Sequence, residues 1–316
     1  MSVDLPAALP GGPRRLRTAF VVGAPRCGTT FLAKALARHP EVCFSKPKET
    51  HFFVRDAAAI APERWPAEFL GRYFGHIESR HGLVVEGSPL QLRDPEAIER
   101  LLCFDPETRF VVAIRNPIEM IHSFHARLVY LLDEDEHDFQ QAWMLQTQRA
   151  RGERIPGRCR DPRSLQYRET ASLGTQLERL LKQVGRERVQ VVLYDDIAAD
   201  PVKVYRELLG FLGLPDDGRT RFPRKNGNRE FRHAWAQAWV ANPPQFVTHW
   251  LERRQQSGRS RPQWIADLRR RLKRWNTRRA KRTPLSPTMR EHLGQELAGE
   301  IVCLESLLGR DLAHWL

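Results

Sequence analysis

The sequence predicts an α/β fold: a P-loop-like central parallel sheet flanked by helices, with a helical C-terminal region. Three observations indicate this class. Short apolar runs rich in β-branched residues alternate with stretches of helical periodicity, which is typical of a largely parallel sheet. The first such run is followed by a glycine-bounded turn and then by a helix. The length of 316 residues suits one large α/β domain or two smaller ones.

The strands are predicted from short runs in which apolar and β-branched residues dominate. Thr18-Ala-Phe-Val-Val22 is the first of them, and Arg109-Phe-Val-Val-Ala-Ile114 is typical of a buried strand. The predicted strands cover residues 18–22, 41–44, 83–86, 109–114 and 188–193.

The helices are predicted from periodic segments with start signals beside them. Pro117 suits the first turn of a helix because its missing N–H is not needed there, and Asp200-Pro201 opens another helix. Residues 213–230 are rich in Gly, Pro and charge and predict a loop, and from residue 231 onward the sequence predicts helices only. The predicted helices include residues 29–38, 117–132, 201–211 and 287–308.

The domain organisation is predicted from composition. Residues 1–17 form an N-terminal extension that is rich in Pro and Gly and then basic. Residues 18–316 form a single domain, which contains a basic, Trp-rich helical insertion at about 231–284.

The charge is concentrated in that insertion. The chain has 51 Lys and Arg against 38 Asp and Glu, a net charge of +13. Residues 251–282 hold thirteen of these cations against Glu252 and Asp267, so their local net charge is +11. Such an excess fits nucleic acid, an anionic membrane or a polyanionic small molecule as the partner.

Several protein classes are excluded or disfavoured by the composition. The 41% of hydrophobic residues suffices for a core and rules out a disordered polycation. We expect no membrane span, because no apolar run approaches 18 residues, and no secretory signal, because the N-terminus lacks an apolar stretch. Five widely spaced Cys residues without a Cys-x-x-Cys pair predict neither disulfides nor zinc. A cytoplasmic location is therefore expected, with peripheral attachment at the inner membrane surface as a further option.

The turn after the first strand has the glycine spacing of a P-loop. In Gly23-Ala-Pro-Arg-Cys-Gly28-Thr29-Thr30, backbone N–H groups and a helix N-terminus would surround an anion. Thr29 stands where a nucleoside triphosphatase has Lys, and the cation of the loop is Arg26 instead. The loop therefore favours an anion other than a nucleoside triphosphate, the alternative being a plain strand–helix turn.

A second anion site is suggested at the end of the strand 109–114. Arg115 follows that strand directly, at the sheet edge where open α/β sheets bind ligands. Its planar guanidinium suits a phosphate, and Ser123 lies in the helix that follows. Taken singly, Arg115 is equally explained as an ion-pair partner and Ser123 as a solvated position.

Together these segments resemble the sulfotransferases that use 3′-phosphoadenosine-5′-phosphosulfate (PAPS). Gly23–Thr30 is similar to their 5′-phosphosulfate loop, and Arg115 with Ser123 to their 3′-phosphate motif. Lys46-Pro-Lys-Glu-Thr-His-Phe-Phe53 resembles the Lys-Glu-x-His-Phe-Phe segment of the glycan O-sulfotransferases, and Gly87-Ser88-Pro89 a substrate-side motif there. The resemblance covers most of 18–228 and 285–316, including segments similar to the bacterial members, but not 231–284.

The resemblance implies transfer of the sulfuryl group of PAPS to a hydroxyl of a carbohydrate, lipid or small-molecule alcohol. The product would be 3′-phosphoadenosine-5′-phosphate (PAP), and no metal would be required. The late segment Arg224–Gly227 resembles a basic contact to the 3′-phosphate. The implied co-substrate contacts are Arg26, Cys27, Gly28, Thr29, Thr30, Arg115, Ser123, Arg224, Lys225, Asn226 and Gly227.

The implied catalytic residues are Glu49, His51, Lys48 and Arg26. By resemblance Glu49 is the base and His51 an accessory or alternative base. The spacing alone favours a solvated Lys48–Glu49 pair and a packed His51 instead. Arg26 can stabilise charge but cannot donate a proton as a lysine can, which makes Lys48 the better candidate for protonating or steadying the leaving phosphate. Ser88 and Pro89 would lie on the acceptor side. Tyr167 is a candidate for stacking on adenine.

Two other functions compete with this one. A P-loop kinase or NTPase could use Asp195 and Asp196 as a metal-binding pair. A nucleic-acid-binding protein could use the arginine block, but no known motif accompanies it, so nucleic acid is not an expected partner. Ile265, Leu268, Leu272 and Trp275 fall three or four apart among basic residues. This amphipathic helix suits packing on the core, an anionic membrane surface or a polyanionic or lipid-linked acceptor.

Overall fold

The computed structural model describes residues 3–4, 15–222, 228–241, 263–280 and 283–316. The chain divides into two compact units. The first unit comprises Met1–Met120, Glu169–Lys225 and Glu291–Leu316, and the second comprises Ile121–Arg168 and Asn226–Arg290. The single domain 18–316 and the extension 1–17 stay predictions.

The first unit is built on a mixed sheet whose five central strands are parallel. The spatial order is β3-β4-β2-β5-β6, and β1 pairs antiparallel with the start of β2. The predicted fold class is confirmed. The strands are β1 (Val3–Asp4), β2 (Arg15–Gly23), β3 (Val42–Phe44), β4 (Leu83–Glu86), β5 (Arg109–Ile114) and β6 (Val189–Leu193).

The parallel register brings the carboxyl ends of four strands to one edge. Phe20 of β2 pairs with Glu86 of β4, and Ile114 of β5 pairs with Leu193 of β6. The β2–β5 register shifts between Val21 and Gly23, where β2 gives way to the glycine turn. The residues after β2, β4, β5 and β6 therefore share the edge at which α/β sheets bind ligands.

The four predicted helices are present, and three of them differ from the prediction only at their C-terminal ends. The helix predicted at 29–38 ends at Leu36, and the one at 287–308 has the predicted bounds. None of the helices in the described residues is long and apolar enough to cross a membrane. The helices are α1 (Thr29–Leu36), α2 (Phe52–Arg55), α3 (Trp65–Tyr73), α4 (Pro95–Phe104), α5 (Pro117–Leu131), α6 (Phe139–Met144), α7 (Gln146–Ala150), α8 (Tyr167–Ala171), α9 (Leu173–Val184), α10 (Tyr194–Ala199), α11 (Pro201–Leu212), α12 (Ala234–Ala241), α13 (Gln263–Asn276) and α14 (Pro287–Leu308).

An aromatic cluster in the first unit anchors the segment predicted to be catalytic. Phe52 and Phe53 are fully buried, with Phe53 packed edge-on against Phe20 at 5.8 Å and tilted against Phe69 at 5.1 Å. Full burial of an aromatic side chain contributes about 1.5–3 kcal/mol. The Phe-Phe pair therefore fixes where the preceding residue, His51, must lie.

The second unit contains a strand pair that the sequence did not predict. β7 (Asn228–Phe231) pairs antiparallel with β8 (Thr277–Ala280). The expectation of a loop through residue 230 and helices only thereafter is therefore wrong. The partners lie far apart in sequence, so no hairpin turn signals the pairing, and neither run has the alternating apolar pattern of a strand.

Candidate active site

The glycine loop ends in an open helix N-terminus. Arg26 and Gly28 both adopt left-handed backbone conformations, with φ of 66° and 94°. Gly28 precedes α1, and no described side chain caps that helix. A Cβ atom on Gly28 would lie 2.8 Å from Ile197, so both conformation and packing require glycine. A turn that holds such residues next to a helix N-terminus can direct backbone N–H groups toward a bound anion.

The Cys27 side chain fills the interior of this loop. Its side chain is fully buried, its Sγ lies 3.5 Å from the Pro25 carbonyl oxygen, and its N–H donates to the Ala24 carbonyl. Burial raises the pKa of the Cys27 thiol to about 12, although the charge of Arg115 acts in the opposite direction. The thiol is therefore neutral and enclosed, and Cys27 serves the shape of the loop.

Lys48 connects the loop to the predicted base. Its Nζ donates to Thr29 Oγ1 at 3.3 Å and to Glu49 Oε1 at 2.8 Å. His51 Nε2 lies 3.9 Å from Glu49 Oε2. Glu49 is the most exposed of the three, at 44% of its side chain against 24% for Lys48 and 18% for His51. Lys48 thus contacts the first turn of α1, Glu49 contacts Lys48, and His51 lies next to Glu49.

Thr30 and Arg26, the other two polar residues of the loop, differ in solvent exposure. Thr30, the second residue of α1, is exposed, whereas Arg26 is half-buried. Arg26 therefore retains access to solvent, and a guanidinium on a left-handed residue of an anion-binding loop can add charge to its N–H groups.

A buried carboxylate that sequence reasoning missed supports this group of residues. Glu86, the last residue of β4, is fully buried. Its Oε2 accepts from Ser88 N at 3.1 Å and Gln91 Nε2 at 3.2 Å, while its Oε1 faces Thr50. Burial raises the pKa of Glu86, and the hydrogen bonds from Ser88 and Thr50 oppose that rise. One signal was present: a charged residue ends an otherwise apolar strand.

Ser88 and Pro89, expected on the acceptor side, are both buried. The Ser88 hydroxyl accepts from His51 N at 2.9 Å and donates to Glu86 Oε1 at 2.5 Å. Both of these bonds lie within the protein, so the observed contacts of Ser88 support the Lys48–His51 segment.

Arg115 lies at the same sheet edge, directly after β5. Its guanidinium stacks over the Tyr194 ring at 4.6 Å and lies 3.7 Å from Glu119 Oε2. A Cβ atom on Gly28 would also approach Tyr194, at 3.4 Å, so Tyr194 contacts both the glycine loop and Arg115. Arg115 is 22% exposed, so its side chain is partly accessible to a ligand at this edge.

A family model described as "Sulfotransferase domain" matches residues 16–284. The chain belongs to the sulfotransferase family.

Individual sulfotransferases resemble parts or all of the chain. Mouse heparan sulfate glucosamine 3-O-sulfotransferase 6 is 30% identical over 123 residues, 39% of this chain and 34% of that protein. The Dictyostelium discoideum membrane-associated sulfotransferase kil1 is 25% identical over 113 residues, 35% and 23% of the two chains. The chain thus matches about a third or less of these relatives' length. A sulfotransferase structure from Alicyclobacillus acidocaldarius shares the fold, with 23% identity, coverage of 96% and 99%, and a TM-score of 0.64.

The other predicted co-substrate contacts of this sulfotransferase are Ser123 and Arg224–Gly227. Ser123 lies in α5 and is buried, in the second unit. Arg224–Gly227, the late basic segment, lies outside the described residues.

Tyr167 does not offer a face for adenine, so that candidate is wrong. Its side chain is fully buried in the second unit, packed against His125 and Phe139 at 5.8 and 6.0 Å. Its hydroxyl donates to Glu134 Oε2 at 2.5 Å. The aromatic ring that the sequence offered for stacking is a core residue.

The acidic pair of the competing kinase or NTPase interpretation is engaged elsewhere. Asp195 Oδ2 accepts from Trp315 Nε1 at 3.0 Å, and Asp196 binds the Arg310 guanidinium through both oxygens, at 2.6 and 3.1 Å. The pair holds the C-terminal segment to α10 of the sulfotransferase.

Proposed function

We propose that this sulfotransferase transfers the sulfuryl group of PAPS to a hydroxyl acceptor and releases PAP. One observation carries the proposal: Lys48 binds both Thr29 of the anion-binding loop and Glu49, the candidate base. A cation between an anion site and a carboxylate suits group transfer to a hydroxyl, because it can stabilise the charge that develops while the carboxylate accepts the proton.

The co-substrate fits the residues at the sheet edge. The open N-terminus of α1 and Arg26 would bind the 5′-phosphosulfate, because both present donors and positive potential. Arg115 would bind the 3′-phosphate through its guanidinium, and so distinguish PAPS from nucleotides without that phosphate. The sulfuryl group of PAPS is already activated, so the protein positions it and stabilises the charge that develops on its oxygens.

Two side chains of the protein would then accept the proton that the acceptor hydroxyl loses and stabilise the negative charge on the departing PAP. The Glu49 carboxylate accepts the proton of the acceptor hydroxyl as the acceptor oxygen bonds to sulfur. The bond between sulfur and the phosphate oxygen breaks, its electron pair stays on PAP, and Lys48 stabilises that negative charge. His51, 3.9 Å from Glu49, orients the base or replaces it.

The acceptor is proposed to be a carbohydrate or lipid-linked hydroxyl near an anionic membrane surface. In α13, the exposed Trp264, Leu268 and Trp275 fall within about 40° on one helix face, at 100° per residue. The exposed cations of the same helix are Arg269, Arg270, Arg271, Lys273 and Arg274. Aromatic and aliphatic side chains beside many cations are the composition of helices that lie in an anionic bilayer interface. Cytoplasmic location with peripheral attachment is part of this proposal.

The test is a sulfation screen with labelled PAPS over carbohydrate, lipid, phenol and alcohol acceptors. We expect label transfer to one class, with stoichiometric PAP release and no requirement for added Mg²⁺. Glu49→Gln is the inactive control. Absence of transfer to every class, together with Mg²⁺-dependent ATP turnover, would overturn the proposal in favour of an NTPase.

A further inference from the structure

Three consecutive backbone amides at the start of α2 converge on one buried side chain. Glu86 Oε1 accepts directly from Thr50 N at 3.0 Å. It also accepts from Thr50 Oγ1 at 3.2 Å, and that hydroxyl accepts from Phe52 N at 3.2 Å. The His51 amide reaches Glu86 through the hydroxyl of Ser88.

We propose that Glu86 is a positioning residue: it holds the Lys48–His51 segment in the conformation that presents Glu49 to the acceptor. The inference rests on the proposed function for the role of Glu49. Glu86 is itself fully buried, so it acts through the segment and not by contact with the acceptor.

A carboxylate is the side chain suited to this position. Counting Ser88 N and Gln91 Nε2, five donors point at its two oxygens, and of the isosteric pair glutamate and glutamine only glutamate presents an oxygen at both positions. In Glu86→Gln one acceptor becomes an NH₂ group, which would face donors and leave at least one of them unpaired in the interior.

The segment needs such fixation because its backbone is strained. His51 has φ of 54°, in the left-handed region, although it is not glycine. This conformation is unfavourable for a residue with a Cβ atom and persists where surrounding contacts impose it. The contacts present are the Ser88 hydroxyl on the His51 amide and the buried Phe52–Phe53 pair after it.

The experiment compares Glu86→Gln with Glu99→Gln, a matched change at an exposed carboxylate of the same unit. For Glu86→Gln we expect kcat for sulfuryl transfer to fall at least 10-fold, with acceptor KM and PAP Kd within about twofold. Hydrogen–deuterium exchange of a peptide covering residues 49–54 should become at least 10-fold faster. Glu99→Gln should change none of these quantities.

A second variant keeps the inference testable should Glu86→Gln fail to fold. Ser88→Ala keeps the carboxylate and removes the relay to His51, so we expect faster exchange over residues 49–54 and a several-fold lower kcat. If the variant that folds shows unchanged kcat and unchanged hydrogen–deuterium exchange, the inference about Glu86 is overturned. The proposed sulfuryl transfer is not affected by that result. A wild-type protein without sulfuryl transfer would instead refute the proposed function, and amide exchange would still show whether Glu86 holds the segment.

Discussion

The Lys48 ammonium lies 3.3 Å from the hydroxyl of Thr29, a contact between residues 19 positions apart. It ties a loop that follows β3 to the first turn of the helix that follows β2. The same ammonium binds Glu49, so the contact places a cation between the glycine loop and the candidate base.

Glu49→Gln tests the assignment of the base. Removing the proton acceptor should lower kcat by about 10²–10⁴-fold, the usual contribution of a general base. PAP Kd should stay within about twofold, because Lys48 and the loop are unchanged. Steady-state kinetics and calorimetry measure the two quantities. Full activity in this variant would move the base to His51.

Arg115→Ala tests the 3′-phosphate site. Loss of a charge-assisted contact costs about 1.5–3 kcal/mol, or roughly 10- to 150-fold in affinity. The affinity for PAP should fall by this factor. The affinity for adenosine 5′-phosphate, which lacks the 3′-phosphate, should change little. Glu119→Gln is the matched control, since it removes the ionic partner of Arg115 and leaves the guanidinium in place. Equal losses for both nucleotides would place the 3′-phosphate elsewhere.

Modification with iodoacetamide should distinguish two cysteines. Burial raises the pKa of Cys27 to about 12 and keeps its thiol from solvent, whereas Cys103 is exposed. Because the thiolate is the reactive form, Cys103 should be labelled and Cys27 should not, at neutral pH in the native protein. Peptide mass spectrometry reads out the sites, and both cysteines should react in urea. Equal native labelling would contradict the enclosed loop.

Stability in acid should depend on a buried ion pair in the second unit. Arg149 binds both oxygens of Glu134 at 2.7 and 2.6 Å, and neither side chain is exposed. Burial alone would raise the pKa of Glu134, but hydrogen bonds from Arg149 and Tyr167 outweigh it and lower the pKa below the ordinary 4.5. Glu134→Gln leaves the Arg149 charge buried and unpaired, so the free energy of unfolding should fall by about 3–5 kcal/mol at pH 7.

The sign of the pH dependence follows from that lowered pKa. The contribution of Glu134 is fully present above pH 4.5 and is lost as the pH falls through its lower folded pKa. Urea unfolding of wild type and Glu134→Gln should therefore converge below pH 4.5. The exposed Glu153→Gln is the control and should track wild type. A constant difference down to pH 2 would contradict this role of the pair.

Replacing Arg269, Arg270 and Arg271 with Ala tests the membrane surface. Each cation near an anionic bilayer contributes about 1 kcal/mol, so binding to phosphatidylserine vesicles should weaken roughly 100-fold. A triple control removes the same charge from exposed positions of the first unit: Arg80, Lys182 and Lys203. Vesicle co-sedimentation measures binding. Unchanged vesicle binding and unchanged acceptor KM would refute a role for α13 in either contact.

Much of the fold could be predicted because its signals are local. β5 is predicted from an apolar run of a few residues, and the turn at Gly28 is predicted from the spacing of its glycines. Glu86 could not be placed in the site, since its donor Thr50 lies 36 positions away and only the β3–β4 pairing brings them together. The prediction that Tyr167 stacks on adenine is wrong because an aromatic residue in a core has the same sequence pattern as one beside a ligand.

The measurement that tests the central claim most directly is the binding of PAP and ATP by calorimetry, with and without Mg²⁺. It requires no knowledge of the acceptor. PAP should bind without Mg²⁺ and at least 10-fold more tightly than ATP, because Thr29 replaces the lysine of an NTPase and Arg115 offers a fork to the 3′-phosphate. Mg²⁺-dependent ATP binding that is tighter than PAP binding would contradict PAPS as the co-substrate.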